Sequence, residues 1–571
     1  MNRFLLCLCT SLVLIACQPA EEPVEPPTPE VTEAERDVVA PSMPEVPAGS
    51  MLMDRYDENV KTLASDEFGG RAPGTRGERL TVDFLVREFA ELGLKPGYGD
   101  SYLQPVPNLE LTNRYRSSLD IAFEDEVMEL AYPDDMIINS RLLGEEEHGV
   151  ADSDVVFVGY GIVAPEYDWN DYAGLDVEGK TVVILVNDPG YDSGDEAVFS
   201  GRAMTYYGRW TYKFEEAARQ GARGALIIHE DEAAGYGWEV VSGSWSGPQL
   251  ALDHDGDDPQ LALEGWLSLS AAEALFEASG HDLDALREAA RQPGFEAVAL
   301  DARARTRLEN RFERSRSDNV IAYLPGSKRP DEAIIFTAHW DHLGVDEEDD
   351  SLIYNGAVDN ASGTAAVLEL ARVFSEMDTA PERSIVFLLV TAEEQGLLGS
   401  RFYGENPVFP LSKTVAGINL DSMNVFGPTR DVTVVGYGNS ALDEHLRRAA
   451  KAQGRHLRPE PHPERGYFYR SDHFSLARHG VPVLYPNPGI DHVERGVEFG
   501  EAWMADYQQN RYHRPADEYD PAWDLSGLAL DTALVMRVAL ALANSKDWPN
   551  WQQDNEFRAI RDESRRAEKN H

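Results

Sequence analysis

The chain of 571 residues carries 100 acidic against 51 basic residues, a formal net charge of −49. That balance excludes nucleic acid as a partner, because a phosphate backbone is bound by Lys and Arg that displace counterions. The length exceeds one ordinary domain and the 42% hydrophobic content can fill more than one core, while all three cysteines lie at positions 7, 9 and 17, leaving the rest without a disulfide or a catalytic thiol.

Residues 1–17, MNRFLLCLCTSLVLIAC, join one Arg to an apolar run too short to span a bilayer comfortably, and a small residue precedes Cys17. Leu14-Ile15-Ala16-Cys17 resembles the bacterial lipobox, which implies cleavage before Cys17, lipidation of that residue, and export to the cell envelope. Gln18 follows the cysteine rather than Asp, which favours the outer membrane. Residues 18–50 are rich in Pro and Glu without an aromatic residue, and the composition predicts an extended tether. No later stretch reads as apolar enough to cross a membrane.

Globular sequence begins near Met51. SDEFGGRAPGTRG, from Ser65 to Gly77, reads as a Gly-rich structural turn; it has neither the Walker nor the dinucleotide spacing. A helix follows from about Glu78 to Leu92, with Leu85, Phe89 and Leu92 on one face and Gly93 as its stop. From about Ser140 the pattern turns to short β-like runs, Val155–Val158, Thr181–Val186 and Ala225–Ile228, with a helix from Tyr212 to Gln220. His229 and His254 stand alone there, as surface or core histidines do. The acidic runs Asp255–Asp258 and Asp346–Asp350 read as solvated loops.

After Arg311 strands and helices alternate. The strand-like runs are Asn319–Tyr323, Ala333–Thr337, Ser384–Val390, Val415–Leu420, Val432–Val435 and Val481–Tyr485. The helical stretches are Gly363–Met377, Gly396–Tyr403, Ala441–Gln453 and a closing amphipathic Ser526–Asn544. The alternation predicts an open, mostly parallel sheet covered on both faces, a three-layer α/β/α arrangement. In such sheets sites form beyond the carboxyl ends of the strands. One strand ends at His339 and Asp341, the next at Glu393-Glu394, the next at Asp421, and Asp359 opens a helix. Tyr512-His513 precedes the closing helix as a further candidate. Each alone is weak; together they are a set of imidazole and carboxylate groups suited to an open hydrolytic metal site.

AHWDH, GAVDNASG, TAEEQGLLGS, NLDSM and RYHRPADEY resemble, in order, the motifs of the co-catalytic zinc peptidases of family M28. The resemblance implies two zinc ions per chain, one held by His339 and Asp421, the other by Glu394 and His513, with Asp359 as the bridge. It implies Glu393 as general base, Tyr512 as oxyanion stabiliser, and Asp341 orienting His339. His342 reads as a loop histidine rather than a further ligand. YFYRSDHFSLARHGVP resembles a substrate-pocket wall, which makes Arg470 and His473 candidate substrate contacts, although His473 could equally cap its helix. The Trp and Tyr residues between Gly489 and Tyr512 are placed at the entrance. The segment 140–300 is similar to an inserted, β-rich protease-associated domain.

The implied organisation is a signal segment 1–17, a tether 18–50, peptidase sequence at 51–139 and 301–550 around the insert 140–300, and a charged tail 551–571. The implied activity is that of an aminopeptidase acting on peptides at the envelope, anchored only through its lipid; oligomeric state is open. Alternatives are a glutamate-carboxypeptidase-like enzyme, which Arg470 favours, a glutaminyl-cyclase-like transferase, and a non-catalytic receptor-like protein on the same fold.

Overall fold

A computed structural model describes residues 44–46 and 50–569, except 117, 143–146, 194, 196, 246–247, 254–258 and 347–348. Cys17, the signal segment, most of the tether and His254 therefore lie outside the described residues. The described end of the tether packs against the main body. Val46 is buried in the main core, and the carbonyl of Ser50 accepts from the Arg372 guanidinium at 2.5 Å.

The sheet of the C-terminal half is built on the strand Arg329–His339, which pairs in parallel with Arg383–Val390 on one side and Thr414–Asn419 on the other. Val483–Pro488 continues the parallel set, and Asp431–Val435 adds an antiparallel strand beyond it. At the opposite edge the end of a long strand, Val298–Leu324, pairs antiparallel with Arg383–Val390. The sheet is thus mixed, with a parallel centre. Alternate side chains divide between two cores, as the pleat requires. Ile334, Phe336 and Ala338 join the core under helices Arg76–Glu91, Gly363–Ser375, Leu442–Ala452 and Ser526–Ala543. Ala333 and Ile335 face the other core, with Tyr403, Phe474 and Leu476 from helices Leu398–Glu405 and His473–Arg478.

Several expected boundaries move. The closing helix Ser526–Ala543 is buried nearly all round rather than amphipathic; it is long and apolar enough to cross a membrane, yet its residues fill the main core. The helix expected from Gly396 starts at Leu398, because Gly396 and Leu397 take left-handed φ values of 104° and 62°. The expected charged tail packs: Trp551 and Phe557 are buried, and helix Arg558–Lys569 sends Arg561 to the carbonyl of Thr414 at 2.9 Å.

The inserted body has its own parallel set, Glu147–Phe157, Thr181–Leu185, Gly224–Ile228 and Leu263–Leu267. Its core also takes Leu119, Ile121, Leu130 and Met136, so it begins well before residue 140. A two-stranded ribbon explains this. Leu103–Arg116 runs antiparallel to the middle of Val298–Leu324, and that single long strand then serves both bodies.

Candidate metal centre

Parallel register brings the strand ends together. His339 pairs with Val390, just before Thr391-Ala392-Glu393-Glu394, and Thr337 pairs with Asn419, two residues before Asp421. His339 is 1% exposed, with Nε2 3.1 Å from Asp359 Oδ1 and 3.5 Å from Asp421 Oδ1. His513 Nε2 lies 3.3 Å from Asp359 Oδ2 and 3.0 Å from Glu394 Oε2. Asp359 therefore turns one oxygen to each imidazole, the disposition of a carboxylate between two cations.

The donor set fits a divalent metal. His339 Nε2 is buried and faces the Asp359 and Asp421 oxygens without hydrogen-bond geometry to either, and ligand atoms of His339, Asp359 and Asp421 lie within 4.8 Å of one another. Imidazole and carboxylate donors without thiolate suit zinc at an open site. Without cations the cluster is electrostatically unbalanced. Burial alone lowers the pKa of His339, but the carboxylates of Glu393, Asp359 and Asp421 overcome it and raise the imidazole well above its usual range.

The turns that present these groups are strained. Ala392, Ser422 and His513, all non-glycine, have φ of 52°, 57° and 55°. Each such residue costs about 1–3 kcal/mol, and such residues persist where surrounding contacts overdetermine them. Those contacts are present. Ser471 Oγ donates to Asp421 Oδ2 at 2.7 Å, and the Tyr485 hydroxyl reaches the same oxygen at 3.3 Å. Asn360 accepts from the amides of Gly363 at 2.9 Å and Ser422 at 3.3 Å, tying the Asp359 turn to the Asp421 turn.

Asp341 differs from its expected role. Its carboxylate is 3.9 Å from His339 Nδ1, whereas its backbone carbonyl is 3.2 Å from that nitrogen. Orientation of His339 thus falls to the main chain. The Asp341 carboxylate instead accepts the amide N–H of Glu393 at 3.2 Å, and burial pushes its pKa up to about 7. Glu393 stands beside Glu394 with its pKa raised well above the usual carboxylate range by burial, then by the negative charges of Glu394, Asp472 and Asp421.

His342 stands in a loop, as expected, but is not idle there. It is fully buried, and its Nδ1 lies 2.6 Å from Glu394 Oε1, on the opposite side of that carboxylate from His513. His342, Asp359 and Glu394 also form a possible ligand group. The repeated imidazole in HWDH was the available signal. Tyr512 lies at the rim, 36% exposed, its ring stacked on His513 at 3.9 Å. Burial of its hydroxyl, then Asp359, Glu394 and Glu393, hold the pKa well above 10, so the phenol remains a donor.

The two expected substrate contacts part company. His473 is wholly buried at the start of its helix, packed 4.7 Å from Phe468 and from Tyr485, with burial driving its pKa down to about 3. It lies behind Tyr485 and meets no solvent, so it is a wall residue. Arg470 sits over the rings of Tyr236, from the inserted body, and Tyr467, at 5.5 and 5.3 Å, with Nε and Nη2 buried and unpartnered. Arg209 of the inserted body, 8% exposed, also has an unpartnered Nε, and the nearby Arg470 charge adds to burial in lowering its pKa to about 10. Sequence reasoning missed Arg209, whose meaning depends on two bodies meeting.

Residues 319–536 match the model of peptidase family M28. A mouse protein named Aminopeptidase NAALADL1 is 36% identical over 137 residues, 23% of this chain and 17% of that protein. A probable zinc metalloprotease of Pyricularia oryzae is 41% identical over 87 residues, 15% of this chain and 17% of the relative. The chain thus spans about a sixth of the length of these relatives. An aminopeptidase from Aneurinibacillus sp. strain AM-1 superposes with a TM-score of 0.47 at 19% identity, covering 88% of this chain and 96% of that one. The segment that is similar to peptidase family M28, residues 319–536, contains His339, Asp359, Glu393, Glu394, Asp421 and His513.

Proposed function

We propose that the chain is a zinc-dependent aminopeptidase using two ions. The observation that carries this reading is Asp359, with one carboxylate oxygen on the His339 side and the other on the His513 side. His339 and Asp421 would hold one ion, Glu394 and His513 the other. The bound ions would lower the pKa of a water towards about 7 and polarise the scissile carbonyl.

The chain supplies the rest. Glu393 takes the proton of the attacking water and delivers it to the leaving amine; a carboxyl group with a raised pKa suits both transfers. Asp341, holding the Glu393 amide, fixes where that base begins. Tyr512 donates its hydroxyl hydrogen to the oxyanion that develops on the carbonyl. Ser471 and Tyr485 keep Asp421 turned towards His339.

Aminoacyl chromogenic amides and C-terminally blocked peptides, assayed with and without a chelator, test the reading. Turnover that requires a free N-terminus, vanishes on chelation and returns with zinc is the expected outcome. Turnover indifferent to chelation would sink it.

Arg209 and Arg470 favour a second reading. Two neighbouring guanidinium groups without a carboxylate partner among the described residues, one of them, Arg470, adjacent to Ser471 and its bond to Asp421, form a receptor for an anion. On that reading the enzyme grips a peptide carboxylate and acts as a carboxypeptidase. N-acylated peptides with free C-termini separate the two: their hydrolysis, lost in Arg209→Ala, selects the second.

For cellular placement we propose an exported lipoprotein, resting on Leu14–Cys17. Release of Cys17→Ser into the soluble envelope fraction is the expected result; membrane retention of that variant argues against lipidation.

A further inference from the structure

The turn that presents Asp359 is gripped from two sides by residues outside the ligand cluster. On one side lies Arg71, wholly buried, from the Gly-rich turn. Its Nε donates to the carbonyl of Trp340 at 2.8 Å, Nη1 to Leu63 at 2.7 Å and Asn355 at 2.5 Å, and Nη2 to Gly356 at 2.8 Å. One guanidinium thereby joins the loop after His339 to the loop before Asp359. The local backbone is shaped for it: Gly70 has φ +64°, and a Cβ there would collide with the carbonyls of Gly344 and Tyr354.

On the other side lies Asp517, also wholly buried. Its Oδ1 accepts the amide of Val358 and its Oδ2 the amide of Asp359 itself, each at 3.0 Å. Its backbone carbonyl takes the amide of Ala357 at 3.1 Å, and its own amide donates to Arg514 at 3.0 Å. Asp517 thus closes the turn that follows His513 and, with the same carboxylate, holds the backbone of Asp359.

We infer that Arg71 and Asp517 are positioning residues that set the spacing of the two halves of the centre, with Asp517 governing the half made by His513 and Glu394. The inference rests on the two-ion reading. The asymmetry follows from the supports. His339 and Asp421 stand at or just past the ends of buried parallel strands, which hold them independently. His513 sits on a strained turn with its side chain 37% exposed, and its tie to Asp359 through the backbone runs by way of Asp517. A neutral amide at 517 can accept one of the two N–H groups but presents a donor to the other, so the grip is broken without removing bulk.

Titration of the metal-free full-length protein with zinc alone, in competition with a chromophoric chelator, tests this. Wild type is expected to take two equivalents. Asp517→Asn is expected to take the first with wild-type affinity and the second about 10–100-fold more weakly, the usual cost of losing a group that orients a ligand. Arg71→Lys, which keeps the charge but cannot reach both loops, is expected to weaken both ions. It also serves should Asp517→Asn not fold, as judged by the melting of the metal-free protein. Two ions bound with wild-type affinity in both variants would overturn the assignment, as would equal weakening of the two ions in Asp517→Asn. A wild-type protein taking one ion would overturn the two-ion reading itself; two in wild type and two unchanged in Asp517→Asn would overturn only the positioning role.

Discussion

The two bodies of this protein solve one problem in opposite ways. Both carry parallel strands whose carboxyl ends bear charged residues, and both bury several of those charges. In the inserted body the charges are consumed internally. Asp188 accepts from the amides of Gly190 and Thr205 and from the Thr205 hydroxyl, at 3.0, 2.9 and 2.7 Å, and His229 Nε2 lies 3.0 Å from Asp231. A cavity of about 490 Å³ lies there; its lining arginines Arg287 and Arg291 are each ion-paired with acids, although Arg287 Nε, Arg291 Nε and His229 Nδ1 are buried without a hydrogen-bond partner. At the equivalent edge of the other body, ligand atoms of His339, Asp359 and Asp421, and of His342, Asp359 and Glu394, lie within 4.8 Å of one another; no such group occurs in the inserted body among the described residues. A charged strand end is therefore not itself a site. What distinguishes the site is the convergence of imidazole and carboxylate donors within ligand distance of one another.

The sharpest way to break this contrast is to remove chemistry from the peptidase edge without disturbing its fold. Glu393→Gln keeps the shape and the amide bond to Asp341. We expect kcat to fall about 10²–10⁴-fold with zinc content unchanged, the range for loss of a general base. Wild-type turnover in that variant would show that the convergence at the strand ends is structural. The matching change in the inserted body is Lys213→Met. Lys213 is fully buried and donates to the Tyr160 carbonyl at 2.6 Å. Burial pushes its pKa down to about 7 against the pull of Asp188 and Asp171, whose own carboxyls burial raises to about 6 and about 7. Removing one partner of such a buried set costs about 3–5 kcal/mol. We expect a lower melting temperature with zinc stoichiometry preserved; altered stoichiometry would contradict a metal centre built by the other body alone.

The same contrast marks how far the amino-acid order could be read. Apolar runs that alternate with helical periods made the peptidase sheet legible, and the strand-end rule brought His339, Glu393, Glu394 and Asp421 to one edge before any contact was visible. Asp359 and His513 needed the whole set of motifs, because a turn carries no periodicity. Residues that act through the backbone were not legible. Arg71 was part of a Gly-rich turn whose partners, Trp340, Asn355 and Gly356, lie far along the chain. His342 is equally illegible, because a histidine after a ligand motif has no pattern separating an idle loop residue from a partner of Glu394. The boundary at residue 140 failed for another reason: one strand, Val298–Leu324, runs through both bodies, so composition does not change where packing does.

Acid sensitivity sharpens the comparison more gently. His473 is buried neutral among aromatic rings, its pKa lowered to about 3 by burial, where an unfolded imidazole titrates near 6.5. A depressed pKa contributes stability that is complete above about 6.5 and is lost as pH falls towards about 3. Between pH 7 and 5 that loss is about 2 kcal/mol. His473→Phe, which keeps an aromatic ring beside Phe468 and Tyr485, should flatten this part of the denaturant-midpoint profile. An unchanged slope would show that the imidazole already finds a proton acceptor in the wall.

The smallest change we expect concerns the far side of a ligand. Asp421 directs Oδ1 to His339 Nε2, while Oδ2 is occupied by Ser471 and Tyr485. The carboxylate is thus held firmly behind and only loosely in front, where the Ser422 hydroxyl reaches Oδ1 at 3.4 Å, unlike Asp188, whose oxygens take bonds of 2.7–3.0 Å within the inserted body. Ser471→Ala removes the shorter of the two bonds behind and leaves Asn419 Nδ2 without the acceptor it reaches at 2.7 Å. Asp421 keeps Tyr485 and can still face the metal position, but it can also rotate. Zinc affinity should fall about tenfold, the lower end of the cost of losing an orienting partner, and excess zinc should restore kcat. Loss of kcat that zinc does not restore would mean that Ser471 acts on the substrate, not through Asp421.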